Sequence, residues 1–329
     1  MIVTITPNPM LDKMLWLPRL EYGHTHRASR LHEISGGKGL NVSRALLQLG
    51  ESTLATGFLG GYTGTAIRRL LDAEKIPHAF IEIAATTRTG FTVVETENHR
   101  HTAVFEPGHQ LQPEEVRALL TFVKQMLPQC RALALCGSMP CAGFDHLYAD
   151  LIQLARARHV PVFLDSYHAP LRLGLAAGPQ FLKPNRDELL ATFGLDMREA
   201  AQQHQALRLL AASGASHVFI TDGERPVHIL AEGAYYRAVP PAITCVNPLG
   251  SGDALVAAFL HGWLQHLPVE ALLRFAVAAG SVNAGHTLPG YANPAEITAL
   301  AAQVRLERIG NFESFPARNG NAAGAKPDH

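Results

Sequence analysis

The sequence predicts an α/β protein: a mostly parallel central sheet with helices on both faces. Short apolar strands alternate with amphipathic helical stretches along most of the chain, the order that successive βαβ units produce. With 329 residues and 47% apolar content, the chain can bury a large core. No internal repeat competes with this reading.

In chain order, strands are expected at 2–6, 52–59, 132–136, 160–165, 181–183 and 217–221. Residues 239–246 read as a further β segment ending in a turn. Helical spacing covers 41–49, 65–74, 113–127, 144–158, 186–193, 199–212 and 254–266. Two stretches, about 12–35 and 86–106, carry alternating residues with no helix between them. They predict a small antiparallel sheet added to the main layer, the second stretch turning at Glu97-Asn98-His99-Arg100. Residues 1–310 thus read as one domain with a small β-sheet lid. Residues 311–329, rich in Gly, Ala, Asn and Pro, read as a disordered tail.

Net charge is zero, with 28 basic and 28 acidic residues, so no basic footprint marks the chain for nucleic acid or an anionic membrane. An anionic substrate must therefore meet specific Arg and Lys residues. The cysteines at 130, 136, 141 and 245 show no CxxC pairing and read as reduced thiols. The opening Met-Ile-Val-Thr-Ile reads as a strand, not a signal leader, and no apolar run is long enough to span a bilayer. A cytoplasmic protein is the expectation. His24 with His26, and His99 with His101, lack a third ligand nearby in sequence and read as surface histidines.

The most informative stretch is Asn247-Pro248-Leu249-Gly250-Ser251-Gly252-Asp253. Its glycines allow a tight turn into a helix whose N–H groups converge on one spot, where the helix dipole adds positive potential. Such a turn stabilises a transferring phosphoryl group, and Asp253 beside it can take a proton from an attacking hydroxyl. These residues also fit an ordinary strand-to-helix turn with an acid near the N-cap. Ser35-Gly36-Gly37-Lys38-Gly39-Leu40-Asn41 is a second glycine-rich turn. It is not a Walker loop, because Lys38 is followed by glycine. Its glycines allow close approach to a ligand, Lys38 offers a cation, and Asn41 offers a donor and an acceptor. Asp12 follows the first strand and can hold sugar hydroxyls or stand as a solvated turn residue. Asn185 and Glu188 lie on one side of a helix start, where they can hold hydrated Mg²⁺ or cap the helix.

Taken in order, Gly36-Gly37-Lys38-Gly39-x-Asn41, Lys183-Pro184-Asn185-x-x-Glu188 and Gly250-Ser251-Gly252-Asp253 resemble the PfkB (ribokinase-like) carbohydrate kinases. Asn8-Pro9-x-x-Asp12, Glu106-Pro107-Gly108 and Val246-Asn247-Pro248-x-Gly250 are similar to the 1-phosphofructokinase/tagatose-6-phosphate kinase branch. The resemblance spans about 1–305. It implies a ribokinase-like fold and Asp253 as catalytic base, with the N–H groups of Gly250, Ser251, Gly252 and Asp253 as anion hole. It implies Asp12, Gly37 and Asn41 at the sugar, and Arg27, Arg88 and Ser138, with Lys38 near, around the phosphosugar. Lys183, Asn185 and Glu188 would serve ATP phosphates and Mg²⁺, the last two as metal ligands. Thr221 and Gly223 would border the nucleotide, and Asn283 would lie near the adenine.

The chain departs from that pattern in four places. Thr221-Asp222-Gly223-Glu224-Arg225-Pro226 has proline where the family has a second glycine, and adds two acids. Asp165-Ser166-Tyr167-His168 replaces Asp-x-Ser-Gly. His26 stands where the branch often has Asn, and Asn247-Pro248 stands where Asp-Thr is commoner. The implied activity is ATP-dependent phosphorylation of a ketohexose monophosphate. Fructose 1-phosphate leads, with tagatose 6-phosphate and fructose 6-phosphate behind it. A kinase of an unphosphorylated sugar or nucleoside, and a catalytically weak sugar-phosphate sensor, remain as alternatives. A dinucleotide dehydrogenase is disfavoured, since no GxGxxG follows the first strand. A homodimer through the lid is the expected assembly.

Overall fold

A computed structural model describes residues 1–98 and 100–312. The chain begins with β1 (Ile2–Thr6), β2 (Met10–Leu17), β3 (Arg30–Gly36), α1 (Lys38–Gln48), β4 (Thr53–Leu59) and α2 (Gly61–Ala73). It continues with β5 (Ile81–Glu82), β6 (Thr89–Glu95), β7 (Arg100–Phe105), α3 (Pro113–Met126), β8 (Ala132–Cys136) and α4 (Leu147–Arg156). Next come β9 (Val162–Asp165), α5 (His168–Ala177), β10 (Phe181–Leu182), α6 (Arg186–Phe193), α7 (Ala200–Ala211) and β11 (His217–Ile220). The last elements are β12 (Val227–Ala231), β13 (Ala234–Val239), α8 (Ser251–Leu264), α9 (Val269–Ala284), α10 (Pro294–Ala301) and β14 (Arg305–Asn311).

Ten strands form the main sheet in the order β14-β13-β12-β11-β10-β9-β8-β1-β4-β5. From β11 to β5 every pairing is parallel, and β12, β13 and β14 extend the sheet antiparallel. Alternate strand residues face opposite layers. Ile2, Ala134, Phe163, Phe181 and Phe219 pack with apolar residues of α1, α8, α9 and α10. Val3, Leu133, Leu135, Leu164 and Val218 pack with those of α3 to α7. β1 lies between β4 and β8, so successive strands are added in opposite directions on its two sides while these strands run parallel. That reversal opens a crevice at the carboxyl ends of β1 and β8, where open α/β sheets bind ligands.

The lid is a separate four-stranded sheet, ordered β3-β2-β6-β7. It is not wholly antiparallel as expected, for β2 and β6 pair in parallel. The β2–β3 and β6–β7 pairs are antiparallel hairpins, and the two hairpins join through strands running the same way. Pairing places Leu31 opposite Leu15, Leu15 beside Val93, and Phe91 opposite Val104. These residues share one face of the lid, while Asp12, Met14 and Thr92 take the other by alternation.

The strand expected at 239–246 is also corrected. β13 ends at Val239, and Pro240-Pro241, which lack N–H donors, lead a stretch outside the sheet. Most of the tail expected from 311 lies outside the described residues, but Asn311 pairs with Ala234 at the end of β14. No helix among the described residues is long and apolar enough to cross a membrane.

Candidate active site

The glycine-rich turn before α8 has the geometry its sequence suggested. Gly250 caps the helix at φ 83°, in the left-handed region, and a Cβ there would meet Pro289 Cβ at 2.7 Å. Glycine is therefore required for both backbone and space. Ser251 N–H bonds the Pro248 carbonyl at 3.3 Å. The N–H groups of Gly252 and Asp253 open the helix with no backbone acceptor among the described residues, as first-turn donors do. Both donors thus stand open to an anion, as the expected anion hole requires.

Asp253 is only 5% exposed. The Asn41 amide donates to its Oδ2 at 2.8 Å, which joins α1 to α8. Burial, with repulsion from Asp165, pushes the Asp253 carboxyl up to about 6, against the pull of Lys38, Asn41 and Lys183. A carboxyl tuned there is a competent base near neutral pH. Asn41 is itself oriented: Arg44 Nη1 donates to its Oδ1 at 2.8 Å, and Arg44 is anchored by Glu74 and Ser35.

Asp165, at the carboxyl end of β9, organises the cations. Its Oδ1 meets Lys38 Nζ at 2.6 Å and its Oδ2 meets Lys183 Nζ at 3.0 Å. Burial works against its charge, but Lys183 and Lys38 hold its pKa below the ordinary carboxylate value. Lys38 also meets Glu188 Oε1 at 2.5 Å. Burial opposes the Lys38 charge too, yet Asp165, Glu188 and Asp253 together hold the ammonium above the ordinary lysine value. Lys38, expected near the phosphosugar, is thus paired within this carboxylate cluster. Lys183 Nζ lies where a Cβ on Gly252 would be 3.1 Å away, so a cation stands directly beside the anion hole.

Asn185 and Glu188 form a reciprocal capping box at the start of α6: Glu188 N–H donates to Asn185 Oδ1, and Asn185 N–H to Glu188 Oε2, both at 2.8 Å. No group of three His, Cys, Asp or Glu side chains among the described residues could hold a metal. The pair fits a hydrated Mg²⁺ that takes most of its ligands from water and phosphate oxygens, and it does not fit an all-protein cage.

On the substrate side, Asp12 lies within β2, not in a turn, and is buried. Thr92 Oγ1 lies 3.1 Å and 3.2 Å from its two oxygens, donating from the neighbouring lid strand. Burial lifts the Asp12 carboxyl above its ordinary value against that hydrogen bond. Asp12 Cβ would be 3.2 Å from a Cβ on Gly36, so the acid sits at the root of the Gly36-Gly37 turn. Gly37 starts α1 at φ 141°, and a Cβ there would press on Thr6.

Across the crevice, Asn8 Nδ2 donates to Ser138 Oγ at 3.1 Å and Arg88 Nη2 donates to the Asn8 carbonyl at 3.1 Å. Asn8 follows β1 and Ser138 follows β8, so Arg88 and Ser138 are brought together at the sheet's reversal point. Arg27 is not brought to them. It is exposed on the β2–β3 connection and makes no hydrogen bond or ion pair among the described residues.

Thr221 bridges to Asn185 in parallel and Arg186 N–H donates to its carbonyl, which sets the 221–226 loop beside α6. Gly223 is exposed at φ 57°. Asp222 does not stand free, for Arg186 holds it at 3.0 Å and Arg225 at 3.7 Å. Asn283, expected at the adenine, is fully buried with all its polar capacity used. Its Nδ2 donates to the Leu249 carbonyl and Ser251 Oγ, and its Oδ1 accepts from Gly290 and Tyr291 N–H. It holds the anion-hole turn in place and has no polar atom left for a base. His26 bonds Glu21 through Nε2, and His99 lies outside the described residues.

Sequence reasoning missed three residues that shape this site: Asp165 as the hub, Arg44 behind Asn41, and Asn8 between Arg88 and Ser138. Position gave a signal for Asp165 and Asn8, since both lie at carboxyl ends of parallel strands. Arg44 gave none beyond its place one helical turn after Asn41.

The family model for pfkB family carbohydrate kinases matches residues 6–296. A Staphylococcus aureus protein assigned as a phosphofructokinase superposes with TM-score 0.78 at 28% identity, over 94% of this chain and 100% of that one. Phosphofructokinase-2 from Escherichia coli, in complex with fructose-6-phosphate, gives 0.81 at 25% identity, over 92% and 98%. Ribokinase from Arabidopsis thaliana, complexed with ribose and ATP, shares the fold with TM-score 0.72 at 20% identity, over 91% and 98%.

Proposed function

The chain belongs to the pfkB family of carbohydrate kinases, and from that premise we propose that it transfers the γ-phosphoryl group of ATP to a ketohexose monophosphate, yielding the bisphosphate. The observation that carries this reading is the pairing of two sites. A buried base heads the anion-hole helix, and an arginine–serine pocket at the sheet's reversal point suits a phosphate already on the sugar. Fructose 1-phosphate is the favoured substrate with tagatose 6-phosphate close behind: Asn8-Pro9 and Glu106-Pro107-Gly108 resemble the branch that takes either, and Asn247-Pro248 fits its tagatose-phosphate side.

Asp253, ionised above about pH 6, accepts the proton of the free primary hydroxyl as its oxygen attacks the γ-phosphorus in line. The new O–P bond forms as the bond to the β-phosphate oxygen breaks, and ADP leaves with that electron pair. The N–H groups of Gly252 and Asp253, with the dipole of α8 behind them, meet the charge on the transferring group. Lys183 adds its cation beside the same spot. Asp12, with the Gly37 backbone and Asn41, positions the sugar hydroxyls. Glu188 and Asn185 would hold a hydrated Mg²⁺, which would supply charge neutralisation on the ATP phosphates.

Two copies pair through the lid in this reading. Leu31 and Val104, 54% and 64% exposed, share the lid face with Phe91, and an uncovered apolar sheet face suits self-association.

An ADP-release assay across fructose 1-phosphate, tagatose 6-phosphate, fructose 6-phosphate and the parent sugars tests the activity. Turnover with phosphosugars and little with the parents is expected. Arg88→Ala should weaken phosphosugar binding by about 2–5 kcal/mol, as for a lost charged partner, and leave an unphosphorylated ketohexose nearly unaffected. Equal loss for both would return the protein to the simple sugar kinases.

A further inference from the structure

We propose that His109 is a further binding residue of the phosphate pocket, donating a hydrogen bond from a neutral imidazole to the phosphate that the sugar substrate already carries. This inference rests on the phosphosugar reading above and names a residue which that reading does not use.

The backbone places His109 among the residues assigned above to that pocket. Gly108, just before it, packs so tightly on the turn after β8 that a Cβ would collide with the Pro140 carbonyl. The chain at 108–109 is thereby pinned against the Ser138-Met139-Pro140 segment. On its other sides His109 feels the Arg88 cation and faces the Pro7 carbonyl without a well-formed hydrogen bond. Pro7 and Asn8 form the segment that Arg88 and Ser138 share.

His109 is 6% exposed, and neither ring nitrogen has a hydrogen-bond partner. Arg88 Nε and Asn8 Oδ1 are likewise buried and unpartnered. Orphaned buried polar atoms are rare, and each calls for an explanation. Here they come from three separate segments around one pocket. A phosphate explains the donors together: its oxygens accept from the Arg88 guanidinium, the Ser138 hydroxyl and an imidazole N–H.

Another buried histidine shows what a core role looks like. His217 leaves Nε2 unpartnered but bonds Ser216 Oγ through Nδ1 at 3.0 Å and packs its ring against Phe181 and Phe259. His109 has neither kind of support among the described residues. Its charge state also suits a donor. Burial, then the Arg88 cation, hold its pKa down to about 4, with Glu115 and the nearby Pro7 carbonyl pulling the other way. Near neutral pH the ring therefore keeps one N–H and adds no second positive charge beside Arg88. Tyr167 also faces Arg88, and Glu115, outside the catalytic cluster, is the acid that acts on His109.

The test compares His109→Ala, His109→Gln and Arg88→Ala by KM, kcat and the affinity for fructose. His109→Ala should raise the KM for fructose 1-phosphate roughly 10-fold, the scale of one lost hydrogen bond to a charged group. kcat and fructose affinity should stay nearly unchanged, and His109→Gln, which retains a neutral donor, should recover most of the loss. A fall in kcat alone, or equal losses for fructose and its phosphate, would overturn the proposal. Arg88→Ala separates the two layers. If it discriminates between the sugars while His109→Ala does not, only the His109 inference fails. If neither discriminates, the phosphosugar reading fails as well. Nitrogen NMR of labelled histidine in the wild type reads the ring without mutation, using loss of a signal in His109→Gln for assignment. That signal should move with fructose 1-phosphate and not with fructose, and an unmoved signal would overturn the proposal even if His109→Ala does not fold.

Discussion

Asn41 Nδ2 and Asp253 Oδ2 lie 2.8 Å apart, and Arg44 decides which end of the Asn41 amide faces the acid. Because Arg44 Nη1 occupies Asn41 Oδ1, the amide must present its NH₂ to Asp253. A donor aimed at a carboxylate favours the charged form and opposes burial, the main force raising the Asp253 pKa. The resulting value of about 6 is a balance between the two.

That balance predicts the acid limb of the pH profile. Asp253 must be ionised to accept a proton, so kcat/KM should rise with pH through about 6 in the free enzyme. Asn41→Ala removes a bond that favours the charged form, and the limb should move to higher pH. A limb that stays, or moves down, would show that another group sets it.

Asp253→Asn should lower turnover by at least ~10²-fold, the usual share of a general base. It should also stabilise the fold. The folded carboxyl, at about 6 against an ordinary 3.8, holds its proton more tightly than the unfolded chain does. Its contribution is therefore most favourable below the unfolded value and is lost as pH rises through the folded one. Asparagine carries no such penalty, so the variant should gain on the order of 2–3 kcal/mol near neutral pH and much less near pH 4. Urea midpoints at the two pH values read this directly, and a destabilised variant at neutral pH would refute it.

These features differ in how far the sequence revealed them. The Gly250–Asp253 turn was legible because its function depends on local backbone shape, and glycine spacing records that. The alternating core was legible for the same reason, since strand residues two apart share a face. Strands β12 and β13 went unread because they form an antiparallel hairpin at the end of a parallel series. Their neighbours Val227 and Ala238 meet only in the fold. The partners of Lys38 and Asn283 were not legible because a side chain's partner can lie far away in sequence. Lys38 pairs with Asp165 and Glu188 across the sheet, and no local pattern distinguishes that from a ligand-facing lysine.

Asp165→Asn should have the opposite effect on stability from Asp253→Asn. Asp165 offsets Lys38 and Lys183 at once, and removing one member of a buried ion pair costs about 3–5 kcal/mol. Its folded pKa is depressed, so its stabilisation is present above the unfolded carboxylate value and is lost as pH falls through the folded one. The deficit in the variant should therefore be full near neutral pH and shrink in acid. Urea titration across that range checks it, and a deficit that does not change with pH would remove Asp165 from the charge network.

The 221–226 loop yields the last prediction, and the structure changes its terms. Two acids at Asp222 and Glu224 looked adverse for a polyphosphate, but Asp222 is neutralised by Arg186 and Arg225. Glu224 has no such partner among the described residues. It is exposed, and its charge reaches Cys245, on the strand-free segment that leads to Gly250. Pro226 fixes φ and removes an N–H at the loop's exit, which keeps the backbone from following the path a glycine would allow. Catalysis should survive, because the anion hole, Asp253 and Lys183 do not depend on this loop. The effect should fall on nucleotide binding. Pro226→Gly combined with Glu224→Ala should lower the KM for ATP and leave kcat and the sugar KM nearly unchanged. Asp222→Ala should do the reverse, since it frees Arg186 and loosens the loop's attachment to α6. Steady-state kinetics with varied ATP separate these outcomes: an unchanged ATP KM in the double variant would mean that Glu224 and Pro226 do not face the nucleotide.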